Sequence, residues 1–327
     1  MGFSLSWLSL PTLTVRLEGL AVENTQNKEN WEKIAMNGPL THPVVISGNE
    51  SGWQETAHRA NGRRGKNFGF FDQERGIAIR AAVNITKSTR YTPRHRHIFD
   101  QVRFILSGKV KYGREVYGPG DCIYLPEGVS YGPEDASVSE EKIGLTMQFT
   151  GPSRTPKPHP ADLARAQREL EQIGKFEGGI FVRPDGRKQD GSEAVVEHLM
   201  GDELKYPPAR YSDIVIMRSY NHPWHALKGA SGVSVKHLGY FNEVGPNIKL
   251  VKIEPGASTH PGTAPCQQVR YIIEGEAIYE DDRYKAVSCM YYPADAFYSA
   301  TSSETGATLL VVQLAAQNLE PPPYCLI

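Results

Sequence analysis

Two stretches of this chain, 167 residues apart, are copies of one another. Residues 101–131 align without a gap with residues 268–298, and eleven of the thirty-one paired positions are identical. Chance would give about one or two identities over this length, so the match indicates an internal repeat. A chain of 327 residues has room for two such units, each with a core of its own.

Short runs of β-forming residues, separated by turn residues, fill both copies. The runs of the first copy are IAIRAAVNI, VRFIL, KVKYGREVY, DCIYLP and IGLTMQF, and those of the second are IKLVKIE, VRYII, EAIYEDDRY, SCMYYP and TLLVVQL. Turn signals such as Ser-Gly and Gly-Pro-Gly divide them. Antiparallel β domains protect their edges by closing or by stacking sheets, so the pattern predicts an all-β fold of two tandem barrels.

A proline-rich connector and one helix separate the two strand series. The segment PADLARAQRELEQI places Leu163, Ala166, Leu170 and Ile173 on one apolar stripe, which predicts a linker helix that packs against a barrel. We therefore divide the chain into an N-terminal extension that packs on the barrels (1–75), a first barrel (76–151), a linker with the helix (152–175) and a second barrel (176–327).

Charge and cysteine content argue against several classes of protein. The formal net charge is −1, which gives no electrostatic case for a nucleic-acid or membrane partner. The four cysteines show no CxxC spacing, and this is typical of a reduced, intracellular protein. No segment has the features of a signal peptide or of a membrane span. We therefore expect a cytoplasmic protein whose partner is a small molecule.

The first copy carries two histidines at a spacing that favours a metal site. His95 and His97 lie two residues apart, with Gln101 and Arg103 following. Alternate side chains of a strand share a face, so the two imidazoles would lie side by side. Neutral imidazoles are common transition-metal ligands. The alternative is a pair of polar loop residues that remain from a metal-binding ancestor.

Gln101 and Tyr131 are further candidates for the same site, and both have a structural alternative. Gln101 could be a neutral carbonyl ligand, or it could hydrogen-bond to the barrel wall, because Gln268 repeats it. Tyr131 could be a ligand, a proton donor or a hydroxyl aimed at a bound substrate. Tyr298 repeats Tyr131 in the copy without the histidine pair, which favours a structural tyrosine.

Arg103 and its repeat, Arg270, stand in otherwise apolar strand runs. If they point inward, each needs an anionic partner. For Arg103 we expect a substrate carboxylate held by two parallel hydrogen bonds, and for Arg270 an internal Asp or Glu. The alternative is that both cover an outer face. Arg63, Arg64 and Arg80 are additional basic residues that could reach the first pocket.

The order and spacing of these residues resemble the two motifs of the cupin superfamily. The residues that carry the resemblance are His95-x-His97, Gln101, Gly108, Gly120-Asp121 and Pro126-x-Gly128. Because both copies carry the pattern in part, the chain resembles a bicupin, which implies two jelly-roll barrels. The run HRHIFDQVRFILSG is also similar to the motif of gentisate and salicylate 1,2-dioxygenases. In that family an arginine at the position of Arg103 helps to hold the substrate carboxylate.

The chain departs from the cupin pattern at positions that concern the metal. Tyr131 stands where a cupin normally supplies its last histidine, and the ring-cleaving dioxygenases use three histidines. Gln101 replaces the usual glutamate or a small residue, although some bicupins use glutamine there as a ligand. In the second copy Gly262 and Ala264 stand where the histidine pair would be. We therefore expect a metal site in the first barrel and none in the second.

These observations predict a metal-dependent enzyme, closest to the non-haem iron dioxygenases, that acts on a small carboxylate, aromatic ones included. His95, His97 and Gln101 would bind the metal, while Tyr131 and Arg103 would bind and act on the substrate. Fe(II) is expected first, with Mn(II), Ni(II) and Zn(II) as alternatives, and a homodimer is expected. Two other functions stay open. One is a metal-dependent isomerase, lyase or decarboxylase with Tyr131 as acid or base. The other is a non-catalytic bicupin that binds a small molecule.

Overall fold

The computed structural model describes residues 35–37, 40–49, 52–55, 62–72, 77–155, 158–241 and 245–314. In this part of the chain, the strands before the linker are β1 (Ala35–Asn37), β2 (Val44–Ile46), β3 (Gln54–Glu55), β4 (Arg63–Asp72), β5 (Ile77–Lys87), β6 (Tyr91–Thr92), β7 (Asp100–Ser107), β8 (Val110–Tyr112), β9 (Glu115–Tyr117), β10 (Asp121–Leu125), β11 (Glu134–Asp135) and β12 (Glu141–Phe149). The predicted strand runs are present, although KVKYGREVY forms the two-stranded hairpin β8–β9.

The linker is a small folded unit with a core of its own. It contains α1 (Pro160–Glu171), β13 (Lys175–Glu177), β14 (Ile180–Val182), β15 (Lys188–Asp190) and α2 (Gly191–Met200). The predicted helix is α1, and Ala166 and Leu170 on it are buried. Ile173, predicted for the same stripe, is 52% exposed because the helix ends at Glu171. The sequence reading missed α2, whose Asp190 cap and Gly191-Ser192 start look like a turn.

The strands after the linker form the second series. They are β16 (Val215–Arg218), β17 (His225–Ala226), β18 (Val233–Tyr240), β19 (Asn247–Ile253), β20 (Gly262–Thr263), β21 (Gln268–Tyr279), β22 (Asp282–Lys285), β23 (Cys289–Tyr292), β24 (Phe297–Tyr298), β25 (Thr301–Ser302) and β26 (Ala307–Gln313), and a 3-10 turn covers Ser219–Asn221. No helix in the described part of the chain is long and apolar enough to cross a membrane.

Each barrel is built on one large sheet. The first large sheet has the order β1-β4-β5-β12-β7-β10-β16, with β3 beside β4, and the four short strands β6-β11-β8-β9 form the opposite wall. The second large sheet has the order β17-β18-β19-β26-β21-β23-β2, with β22 and β25 beside β21. The short strands β20 and β24 form a separate two-stranded sheet. The predicted all-β fold of two barrels with a linker helix is therefore confirmed.

Two strands cross the divisions drawn from the sequence at residues 75 and 175. The early strand β2 pairs with β23 in the second sheet, where Ile46 lies opposite Cys289. The late strand β16 pairs with β10 in the first sheet, where Met217 lies opposite Cys122. In addition, β4 pairs with β5 along ten residues and is a full strand of the first barrel. Each large sheet therefore ends on a strand from the other side of the linker.

The main hydrophobic core lies where the two large sheets pack against each other. It contains residues of both barrels, and aromatic pairs cross it: the ring centroids of Phe68 and Tyr271 lie 6.1 Å apart, and those of Phe70 and Tyr291 lie 5.4 Å apart. The repeated cysteines Cys122 and Cys289 are fully buried there, as small apolar residues would be. Since one face of each strand fills this core, the other face is left for the barrel interior.

A candidate site inside the first barrel

The inner face of the first large sheet carries polar side chains in register. On β5, Ile79, Ala81 and Val83 belong to the core between the barrels, so Arg80 points to the interior. Arg80 pairs across the sheet with Gln148, and Gln148 pairs with Gln101 on β7. The next row contains Arg103, Thr146, Ala82 and Asn67. Directly opposite residues share a face, so the register brings these side chains to one wall.

The two histidines meet Tyr131 at the mouth of this wall. His95 and Tyr131 form an antiparallel bridge, in which each backbone N–H donates to the other residue's carbonyl, at 3.1 and 2.9 Å. The ring centroids of His95 and His97 lie 5.0 Å apart, and that of Tyr131 lies 4.5 Å from His95. His97 Nε2 lies 3.0 Å from the Tyr131 hydroxyl oxygen. The predicted pair and the predicted tyrosine therefore form one group.

The Tyr131 hydroxyl is the centre of a hydrogen-bond network. Arg103 Nη2 donates to it at 2.8 Å, and Gln101 Nε2 donates at 3.4 Å. With both donors directed at the oxygen, its own proton can be given to His97 Nε2. Tyr131 is 2% exposed and Gln101 is fully buried. The structure thus brings all five of the residues selected from the sequence into direct contact.

Gln101 turns its amide nitrogen, not its oxygen, toward this network. Its Oε1 accepts from Gln148 Nε2 at 3.3 Å and lies 3.5 Å from Arg103 Nη2. In this orientation the amide is a hydrogen-bonding member of the wall, the structural alternative considered above. Ligation of a metal through Oε1 would require the amide to turn over.

Arg103 is paired with a carboxylate of the protein itself. Its Nη1 donates to Glu134 Oε2 at 2.9 Å and to the Tyr112 hydroxyl at 2.6 Å. Lys142 Nζ lies 3.2 Å from the other oxygen, Glu134 Oε1. All three charged groups are buried. Arg103, for which a substrate carboxylate was expected, therefore has an internal counter-ion. Its Nε has no hydrogen-bond partner among the described residues.

The charged groups in this interior change the pKa values of their neighbours. Burial alone would raise the pKa of the Glu134 carboxyl, but the surrounding cations hold it well below its usual range; they are Lys142, Arg103, Arg63 and Arg90. Burial and the neighbouring arginines lower the pKa of Arg63 to about 9. Burial also lowers the pKa of Lys142, against the attraction of Glu134. One carboxylate thus serves several cations.

Sequence reasoning missed Glu134, Lys142 and Arg90, although it named Arg63 and Arg80. Arg63 Nε donates to Asn84 Oδ1 at 3.0 Å, and Arg80 Nη2 donates to Asn67 Oδ1. The alternation of side chains along a strand could have predicted that Arg63 on β4 and Arg80 on β5 point into the barrel. Glu134 lies beyond the second motif on the two-residue strand β11, where no local pattern indicates a buried acid.

Arg270 in the second barrel has different partners from those predicted. The expectation of an internal Asp or Glu is wrong for the described part of the chain, because no carboxylate lies within 4.0 Å of its guanidinium. Its Nε and Nη2 donate to Gln268 Oε1 at 3.2 and 3.1 Å. Tyr292 and Tyr298 present their rings at 4.1 and 4.5 Å from its guanidinium carbon. Neutral groups replace the expected anion.

The side chains in the first barrel can be tested for their fit to a metal. Among the described residues, no three His, Cys, Asp or Glu side chains come together as a metal site would require. The group that remains is His95, His97 and the Tyr131 oxygen. His95 Nδ1 lies 2.8 Å from the Pro93 carbonyl, which fixes the tautomer with its lone pair on Nε2, as in metal-bound histidines. Two imidazoles fit a divalent transition metal with open positions, and the Tyr131 hydroxyl lies beside them as a group that can act on a substrate.

Comparisons with known proteins agree with this architecture. Residues 212–317, which include most of the second barrel, match the ChrR cupin-like domain family. No curated protein matches the chain. A proposed dioxygenase from Nostoc punctiforme has a similar structure, with 16% identity, 86% of each chain covered and a TM-score of 0.54.

Two oxalate decarboxylases are also similar in structure. The enzyme from Bacillus subtilis is 16% identical, with 92% of this chain and 86% of that chain covered and a TM-score of 0.53. The formate complex of the Lactobacillus farciminis enzyme is 12% identical, with 86% of this chain and 87% of that chain covered and a TM-score of 0.53. Identities this low concern the fold and not the reaction. The chain therefore has the fold of the cupin superfamily, with two barrels in one polypeptide.

Proposed function

We propose that the first barrel is a metal-dependent enzyme site for a small organic carboxylate, closest in chemistry to the non-haem dioxygenases. The observation that carries the proposal is the convergence of His95, His97, Tyr131 and Arg103 in one group, in which His97 is half-buried and the others are buried. A bound divalent metal supplies a Lewis acid and, when redox-active, electron transfer to O₂. Fe(II) is proposed first, with Mn(II), Ni(II) and Zn(II) as alternatives.

The side chains of this group have two roles, metal binding and proton transfer. His95 and His97 would hold the metal through their Nε2 atoms. The Tyr131 hydroxyl, oriented by Arg103 and Gln101, gives or takes a proton at the substrate. Arg103 cannot give its whole guanidinium to a substrate, since Glu134 and two tyrosines occupy both terminal nitrogens. Arg103 therefore fixes Tyr131 and adds positive charge to the site.

The positive charge of the interior supports an anionic substrate. Arg63, Arg103 and Lys142 are close enough to shift one another's pKa, and Glu134 is the carboxylate among them. Arg63 is bonded through Nε to the neutral amide of Asn84. Such an excess of cations in a low-dielectric interior attracts carboxylates.

A decarboxylase or lyase is the second candidate. The buried Tyr131 hydroxyl favours it, because this group, to which Arg103 donates at 2.8 Å, can give or take a proton at a substrate without O₂. The similarity in fold to two oxalate decarboxylases is in keeping with it. A non-catalytic binding protein is the outcome if the site takes up no metal.

The first test is the metal content of the purified protein by elemental analysis. We expect near-stoichiometric metal in the wild type and its loss in a His95→Ala/His97→Ala variant. A His222→Ala/His225→Ala variant, whose two histidines lie outside the barrel site, is the matched control and keeps the metal. A wild type that contains no metal and takes up none on reconstitution contradicts the proposal.

The second test separates the two reactions and the role of Tyr131. Gentisate, salicylate and oxalate are offered to the metal-loaded protein with and without O₂, and substrate loss and O₂ uptake are measured. Tyr131→Phe should lower kcat by about 10²–10⁴-fold and leave the metal content unchanged. Tyr298→Phe, its repeat in the second barrel, should keep the wild-type rate. Turnover that persists without O₂ selects the decarboxylase or lyase.

A further inference from the structure

A segment between α2 and β16 lies against the outside of the first barrel. We call this segment, residues 204–210, the strap. At its start, the Leu204 N–H donates to Glu197 Oε1 of α2 at 3.0 Å. At its end, Arg210 Nη2 lies 3.3 Å from Asp100 Oδ2, at the first residue of β7. The strap is therefore fixed to α2 at one end and to the first barrel at the other.

The middle of the strap contacts the loop that carries the two histidines. We call this loop, residues 93–99 between β6 and β7, the histidine loop. His95 is buried and His97 half-buried, whereas Arg96 between them is exposed and points away from the site. The Tyr206 ring centroid lies 3.9 Å from the Arg96 guanidinium carbon, which is a cation–π contact. The strap therefore holds the loop by the side chain that lies between the two candidate ligands.

Tyr206 is itself held by the linker unit, residues 160–200. Its hydroxyl is hydrogen-bonded to the carboxylate of Glu193, which lies in the first turn of α2, and the tyrosine is half-buried. A ring that is already fixed loses less conformational freedom when it holds another side chain. The contacts from Glu193 to Tyr206 and from Tyr206 to Arg96 therefore join the linker unit to the histidine loop.

The backbone of the strap makes a second contact near His97. The Gly128 N–H donates to the His97 carbonyl at 2.8 Å, and Gly128 has a φ of 76°. A Cβ atom at Gly128 would clash with the Pro207 carbonyl oxygen and would lie 3.1 Å from the Ala209 nitrogen. The close approach of the strap therefore requires a glycine at the position whose N–H holds the backbone of His97.

The second barrel lacks the residues that receive the strap. By the 167-residue repeat, Thr263 stands where Arg96 stands, and Asp295 stands where Gly128 stands. The histidine pair is also absent from this copy. The copy without the histidines thus has neither of the two residues, which is in keeping with a role for both contacts at the histidines.

We propose that Tyr206 is a positioning residue of the first-barrel site, which acts through Arg96 to hold the histidine loop in the conformation that binds a metal. The inference rests on the proposed function, since it concerns the metal that His95 and His97 would hold. Ligands on a loop bind tightly only when the loop is ordered beforehand. Loss of an outer contact that orients a histidine ligand lowers metal affinity by about 10–100-fold. The linker unit thus sets the affinity of a site inside the barrel.

The first test measures the affinity of the full chain for Zn(II). Metal-free protein is titrated in competition with a chelating dye, and the His95→Ala/His97→Ala protein gives the binding elsewhere. Tyr206→Ala should weaken Zn(II) binding by about tenfold or more, whereas Tyr206→Phe, which keeps the ring on Arg96, should stay within about twofold of the wild type. Trp224→Ala is the matched control, because it removes a ring that lies 4.7 Å from Lys236, away from the histidine loop, and it should leave the affinity unchanged.

The second test needs no metal and measures the order of the histidine loop. Hydrogen exchange of the metal-free protein, followed by mass spectrometry, should be faster across residues 93–99 in Tyr206→Ala and in Arg96→Ala than in the wild type. Tyr206→Phe should exchange like the wild type. The double variant Tyr206→Ala/Arg96→Ala should exchange no faster than either single variant, because both changes remove the same contact.

The outcomes separate this inference from the proposed function. A wild type that binds no Zn(II) contradicts the two together. If the wild type binds Zn(II) and Tyr206→Ala binds it equally well, only the inference is overturned. Equal exchange across the histidine loop in the wild type and in Tyr206→Ala also overturns it, whatever the metal affinity.

Discussion

At the scale of single residues, the two arginines related by the repeat show how one sequence position acquires two chemical states. Arg103 donates to a carboxylate at 2.9 Å, whereas Arg270 donates to a neutral amide oxygen at 3.1–3.2 Å. The difference comes from one replacement on a short strand, Glu134 against Thr301. The energetic cost of burying a charged side chain therefore depends on the partner that the fold places beside it.

Glu134→Gln should strongly destabilise the protein at neutral pH. The carboxylate accepts from Arg103 and Lys142 at 2.9 and 3.2 Å, so its neutral replacement leaves two buried cations without an anion. We expect a loss of about 3–5 kcal/mol in the free energy of unfolding at pH 7, measured by urea titration. Glu254→Gln is the control, because its ion pair with Lys252 is largely exposed, and we expect a change within about 0.5 kcal/mol.

The pH dependence of this effect has a definite sign. The folded protein holds the pKa of Glu134 well below the ordinary value of 4.5, so the contribution to stability is complete above that pH. It declines as the pH falls toward the folded pKa. The difference between the wild type and Glu134→Gln should therefore shrink below about pH 4.5. A difference that stays constant from pH 7 to pH 3 would contradict this origin.

Spacing along the chain predicted which residues lie close together in the first barrel. His95, His97, Gln101, Arg103 and Tyr131 could be grouped because the motif spacing and the repeat fix their relative places, and the structure brings them together. The partner of Arg103 could not be found in this way. A carboxylate outside the strand pattern becomes buried through the packing of the short sheet on the large one, and no local signal in the chain reports that contact.

At the scale of elements, the strand series could be predicted because β-forming runs and turn residues alternate in both copies. The partner strands of β2 and of β16 could not be predicted, since a strand of three or four residues is too short for a periodic pattern that indicates its neighbour. The linker helix α1 was recognised from its apolar stripe, but its end was placed two residues too far. As a result Ile173, expected in contact with a barrel, lies in solvent.

Ile46→Ala tests the contribution of β2, which comes before the linker but pairs with β23 in the second large sheet. We call β2 and β16 the exchanged strands, because each belongs to the sheet on the other side of the linker. Ile46 is 3% exposed in the core between the barrels, so its truncation should leave a cavity and cost about 2–4 kcal/mol. Urea titration measures this loss. Ile173→Ala removes the same atoms from an exposed position and should change stability by less than about 0.5 kcal/mol. Equal effects of the two substitutions would contradict the assigned place of β2.

At the scale of the whole molecule, the shared core makes the two barrels one folding unit. Phe68 and Phe70 of the first sheet contact Tyr271 and Tyr291 of the second, and each sheet ends on an exchanged strand. Calorimetry should therefore show a single unfolding transition with equal calorimetric and van't Hoff enthalpies. Two resolved transitions would mean that the barrels unfold independently.

The exchanged strands also set an order of events during synthesis. A ribosome adds about 5–20 residues per second, and ninety-three residues separate the end of β10 at Leu125 from the end of β16 at Arg218. The open edge of β10 therefore waits about 5–20 s for its neighbour. The early strand β2 waits longer still, until β23 is complete at Tyr292. Strand β2 thus leaves the ribosome before the first barrel is made and pairs with β23 only when most of the second barrel has been made.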